Sequence, residues 1–163
     1  AVKAAYEYVG PVYLRFGILA VPVINDGADY TFEIGKGVEL RSGKDITIIA
    51  TGLPVSESLE AAKFLAEDGI DAQVINIHTV KPLDEELVVK AAQATGRVFT
   101  VEEHSIIGGL GSAVMECLAE KNPVKVTRIG VRDTFGESGP AKDLLHKYEL
   151  DAEGIYKQIK AAL

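Results

Sequence analysis

Apolar residues recur along the chain in two rhythms. Dense β-rich runs at Ile46–Ala50, Ala72–Ile77, Arg97–Glu102 and Val124–Gly130 read as strands bounded by turn residues. Between and after them the spacing becomes helical. The stripes are Leu59, Ala62, Leu65 and Ala66; Leu87, Val88 and Ala91; Leu110, Val114, Cys117 and Leu118; Ala141, Leu144, Leu145 and Tyr148; and Ile155, Tyr156 and Ile159. Pro54 and Pro140 suit first helical positions, Asp84 and Asp151 suit N-caps, and Gly69 and Gly96 suit helix ends. Strands alternating with helices predict an α/β fold. The expected form is three-layer α/β/α, with a mostly parallel sheet of about five strands and one antiparallel edge strand.

The first thirty residues follow a different logic. Val2, Ala5, Tyr6 and Val9 form a helical stripe with no capping residue ahead, so the chain is expected to begin inside a helix that ends at Gly10-Pro11. Val12–Phe16 then reads as a strand. Pro22 and the Asn25-Asp26-Gly27 turn signal place a linker within residues 18–29. The expected division is a helix-plus-strand tail at 1–23, a linker at 24–29 and the main domain at 30–163. That domain opens with Thr31–Leu40, interrupted by Gly35-Lys36-Gly37 and read as short antiparallel pieces.

The chain has 163 residues, 47% of them hydrophobic, enough to bury one sizeable core. Its 24 acidic against 17 basic side chains give a formal charge of -7. That charge repels phosphate backbones and anionic lipid, which argues against nucleic acid or a membrane as partner. The single cysteine, Cys117, lies among Ala113, Val114 and Leu118 and reads as a small buried hydrophobe, consistent with a reducing cytoplasm.

Candidate chemistry gathers where strands end. Gly108-Gly109-Leu110-Gly111 could present N–H groups to a phosphate, but Val114 breaks the dinucleotide fingerprint, and tight packing of helix on sheet explains the glycines without a ligand. Glu102-Glu103-His104 ends a strand at the sheet's carboxyl edge. A packing or interface role is expected there, since His78 and His146 have no ligand-like spacing to it and no metal site is implied. Thr51-Gly52 and Phe135–Gly139 are loops that could line a crevice, though each reads more simply as a connection. The crevice or interface candidates are therefore Thr51, Gly52, Glu102, His104, Gly108 and Gly109.

Several segments resemble the C-terminal domain of transketolases, which are thiamine-diphosphate enzymes. These are Gly10–Arg15, Ile48–Gly52, Val80–Asp84, Val101–His104, Ile107–Val114 and Asp133–Gly139, in family order along nearly the whole chain. The Lys81–Asp84 and Glu102-Glu103 pieces also occur in deoxyxylulose phosphate synthases and keto-acid dehydrogenase beta subunits. The Phe135–Gly139 stretch looks more like transketolase.

The resemblance implies a fragment of an enzyme that moves a two-carbon ketol unit between sugar phosphates. Residues 1–23 would be the tail of its pyrimidine-binding domain, and 30–163 its dimer-supporting C-terminal domain. It further implies thiamine diphosphate and Mg2+ in the complete enzyme, the diphosphate- and pyrimidine-binding domains as partners, and a homodimer. No cofactor or catalytic residue carries over to this chain: the metal-diphosphate signature has only Asn25-Asp26-Gly27 as a look-alike. The family's Gly-Pro-x-x-x-Arg-x-x-Arg pattern has Ile18 at its second arginine, which leaves Arg15 as the substrate-phosphate candidate. The alternatives are a docking module of a keto-acid dehydrogenase, a synthase C-terminal domain, or a small ligand-binding domain whose crevice is lined by Thr51-Gly52 and His104–Gly109.

Overall fold

The computed structural model describes residues 1–17, 20–25 and 30–163. Ile46–Ala50, all apolar but for Thr47, forms β2 and is buried at every position, as a strand covered on both faces must be. Around it lie β1 (Val38–Arg41), β3 (Ala72–Asn76), β4 (Arg97–Ser105) and β5 (Lys125–Val131) in the order β1-β3-β2-β4-β5. β1 runs antiparallel to β3, and every other neighbouring pair is parallel. The mixed sheet with an antiparallel edge is the one the sequence pattern implies.

Alternation along each strand sends successive side chains to opposite faces. Ile48, Ala50, Phe99 and Val101 join one core with residues of α2 (Pro54–Glu67) and α6 (Ala152–Ala162). Ile49, Ile75 and Val98 join a second core under α3 (Glu85–Thr95) and α4 (Leu110–Lys121). Burying each large aliphatic side chain contributes about 1.5–3 kcal/mol, so both faces hold the sheet. The Leu110, Val114, Cys117 and Leu118 stripe is buried as expected. In α2 the buried face is Val55, Ser58, Ala61, Ala62 and Leu65, and Ala66 points outward. The short α5 (Ala141–Lys147) buries no residue fully, and Leu145 and Tyr148 pack against the first core from its edge.

Caps fix where the helices start. The Asp84 carboxylate accepts from Leu87 N at 3.2 Å and also from Gly37 N at 2.9 Å, tying the approach to β1 onto α3. Asp151 accepts from Gly154 N at 2.9 Å, and Gly96 closes α3 in the left-handed region at φ 67°. Pro54 is the first residue of α2, whereas Pro140, with ψ 134°, is the N-cap of α5 rather than its first turn. At the far end of α6 the Arg97 guanidinium donates to Ala162 O and Leu163 O, neutralising the helix's negative end.

The N-terminal segment departs from expectation. Its helix α1 (Val2–Glu7) ends three residues before Gly10, with Tyr8 extended at φ -75° and ψ 130°, and it buries none of its stripe. Val12–Phe16 forms no strand and pairs with none. Strand propensity needs a sheet edge to be realised, and this segment meets none. Between Thr31 and Leu40 only β1 forms a ladder, preceded by a turn in which Lys36 N donates to Glu33 O. Ile18 and the Asp26-Gly27 part of the turn signal lie outside the described residues.

Candidate functional site

From β2 the chain crosses to β3 on one side and then to β4 on the other, so the strand order reverses around β2. Helices leaving β2 and β4 cover opposite faces and open a crevice at the strands' carboxyl ends, where such folds bind ligands. Thr51 N donates to Val101 O at 3.1 Å, continuing the pairing of β2 with β4 one residue past the end of β2. Gly52, at φ 69°, leaves its side open toward Glu103, whose Oε1 would lie 3.9 Å from a β-carbon there.

The two glutamates at the end of β4 have opposite roles because they point to opposite faces. Glu102, only 1% exposed, lies under α4. Its Oε2 accepts from Leu110 N at 2.9 Å and its Oε1 from Gly111 N at 2.8 Å, so one carboxylate satisfies two free donors of the helix. A negative group beside the positive end of the helix dipole adds to this. The glycine turn therefore offers those donors to Glu102 rather than to a phosphate. Glu102 is a buried helix cap, the packing half of the role expected for it, and it does not face the crevice.

Each glycine of the turn has a specific reason. Gly108 has φ 77°, a left-handed conformation, and its N–H donates to Ser112 Oγ at 2.8 Å. Gly109 sits against the Glu102 carboxyl, leaving no room for a β-carbon. At Gly111 a β-carbon would lie 2.8 Å from Arg128 Cγ and Cδ and from Thr100 Oγ1. Arg128 is fixed in turn, donating to Ile106 O at 2.7 Å. Close packing of α4 on β4 accounts for the glycines.

Glu103 faces the crevice and pairs with Arg15 across 3.2 Å. Neither member of that pair was foreseen as a partner of the other. His104 is half-buried beside them, while the remaining histidines lie elsewhere. His78, at the end of β3, stacks on Phe32 with ring centroids 4.3 Å apart, and burial holds its pKa below the ordinary histidine value. His146 bonds Asp151 at 2.7 Å, and that bond raises its pKa. Phe135 is 99% exposed. Burial pushes the Cys117 thiol pKa up, in keeping with an unreactive core residue. Among the described residues no three His, Cys, Asp or Glu side chains converge as metal ligands, and no helix is long and apolar enough to cross a membrane.

The fold is a doubly wound α/β domain in which the strand-end carboxylate and the glycine turn serve helix packing. Residues 35–155 match the family model described as "Transketolase, C-terminal domain", and the chain belongs to that family.

Among its relatives is the 6-deoxy-6-sulfo-D-fructose transketolase subunit SqwH of Clostridium sp. (strain MSTE9), 50% identical over 160 residues. That alignment covers 95% of this chain and 49% of the relative. A putative transketolase C-terminal section of Methanocaldococcus jannaschii is 47% identical, with 97% of this chain and 50% of that one covered. Among solved structures, a split-gene transketolase described as an inactive beta4 tetramer superposes with a TM-score of 0.93 at 49% identity. The match covers 99% of this chain and 53% of that one. The chain thus spans about half the length of the curated relatives it matches.

Proposed function

We propose that this chain supplies the C-terminal region of a split transketolase, a scaffold for catalytic parts carried on other segments. The complete enzyme would move a two-carbon ketol unit between sugar phosphates in the cytoplasm, as a homodimer, using thiamine diphosphate and Mg2+. Similarity to subunit-type transketolases over nearly the whole chain supports this reading. The observation that carries it is the use of Glu102 and the glycine turn, which together close α4 onto the strand end and leave its first amides bonded within the chain.

The N–H groups of Leu110 and Gly111 bond the Glu102 carboxylate and are not free to receive a diphosphate at this turn. Residues 30–163 form the independently folding domain in this proposal, and 1–23 belong with a neighbouring one. Most of the exposed large apolar side chains among the described residues fall before residue 24, including Tyr6 at 91%, Val9 at 98% and Tyr13 at 88%. A surface that apolar suits burial against another protein domain.

The test is calorimetry and a ketol-transfer assay on the purified chain, alone and joined to the thiamine-binding region of its parent. The chain alone binds no thiamine diphosphate in the presence of Mg2+ and transfers nothing, and the joined form is active. Micromolar binding by the chain alone, or a joined form without ketol transfer, would sink the proposal.

A further inference from the structure

We propose that the crevice at the sheet's reversal point is the seat of the chain's own N-terminal segment, latched by Arg15 and Glu103, and not a small-ligand site. The argument begins with what the crevice still offers. Thr51 N is taken by Val101 O, and the helix N-terminus beside it is taken by Glu102. Glu103 is the acidic group left facing outward, and Arg15 from the N-terminal segment already pairs with it at 3.2 Å.

Two further observations agree. Within the segment, Val12 at 40% and Leu14 at 38% are less exposed than Tyr13 at 88% and Phe16 at 63%. Beyond it, Ile24 packs against the α2-side core, and residues 21–25 with Gly52, Leu53 and Ser56 enclose a shallow depression of about 360 Å³. The segment is therefore held at two separated points, one ionic and one apolar. On the function proposed above, a docked strap leaves Tyr13 and Phe16 facing outward for the neighbouring domain.

A half-exposed ion pair is a weak clasp, so the strap lifts reversibly and salt loosens it. Chymotrypsin reads this through cleavage after Tyr13 and Phe16 in the full 163-residue chain, because slow cleavage tracks the population of the open form. Glu103→Gln leaves the cleavage sites and the buried Glu102 untouched. It is expected to speed cleavage about two- to five-fold at low salt. Added salt should produce the same increase in the parent and little more in the variant. The exchanged pair Arg15→Glu with Glu103→Arg should regain protection relative to Arg15→Glu alone. Cleavage unaffected by Glu103→Gln and by salt, or an exchanged pair no better protected than Arg15→Glu, would overturn the latch. Neither result bears on whether the parent enzyme transfers ketol groups.

Discussion

Replacing Glu102 with glutamine tests whether this carboxylate is a structural cap. The side chain keeps its size, but one of its two acceptor oxygens becomes a donor that faces the N–H of Leu110 or Gly111. A hydrogen bond to a charged acceptor contributes about 1.5–3 kcal/mol, and one of the two is lost. The charge beside the helix N-terminus, worth about 0.5–2 kcal/mol in a partly buried setting, goes as well. Relief of the cost of burying a carboxylate offsets part of this. The balance is a loss of about 2–3 kcal/mol, a large fraction of the roughly 5–15 kcal/mol typical of a domain. Urea unfolding at neutral pH should show a lower midpoint with an unchanged slope, and the melting temperature should fall by about 4–12 °C. Hydrogen exchange should localise the damage to the first turn of α4. The reasoning fails if the loss is under about 1 kcal/mol or if the Leu110 and Gly111 amides keep their protection. Glu103→Gln, altering the neighbouring half-buried carboxylate, should stay within about 0.5 kcal/mol.

Other positions give sharper signs. Gly111→Val presses on Arg128 and Thr100 and should cost about 1–3 kcal/mol in denaturant unfolding; a variant as stable as the parent would contradict the packing described. The Thr100 hydroxyl is buried with no hydrogen-bond partner, so Thr100→Val should stabilise by about 1 kcal/mol, read as a raised melting temperature. His146 has its pKa raised by Asp151, so its contribution is full below the unfolded value of about 6.5 and disappears as pH rises through the folded value. The melting-temperature gap between the parent and His146→Gln should accordingly be wide below about pH 6.5 and narrow as the pH rises above it. Trimming to residues 30–163 should preserve the cooperative thermal transition, and its loss would put the domain boundary elsewhere.

The sequence shows some of this readily and some of it hardly at all. Ile46–Ala50 reads as a central strand because five residues in a row lack a solvent face, and the α4 stripe reads because a single helix face is buried. Asp84 and Asp151 cap helices through bonds to residues three positions on, a distance that local patterns encode. Val12–Phe16 misleads because strand propensity describes a pleated surface and not the partner that must supply it. The role of Glu102 needs the sidedness of β4 and the landing point of α4 together, which no local spacing carries. A Glu followed by a glycine-rich turn at a strand end is the only trace it leaves. Arg15 and Glu103 stand 88 positions apart, and nothing short of the fold brings them together.

The same contrast bears on how the molecule divides its labour. Two cores of buried side chains, closed by helices on both faces, lie within residues 30–163, where Glu102 reinforces that closure and Glu103 pairs with Arg15. Before residue 24 the balance is reversed: Tyr6, Val9, Tyr13, Phe16 and Val23 are mostly exposed, and α1 buries nothing. A chain segment gains little from ordering such side chains in water, since each loses conformational freedom without the hydrophobic return. On the function proposed above, these side chains would find that return at an interface with a neighbouring domain.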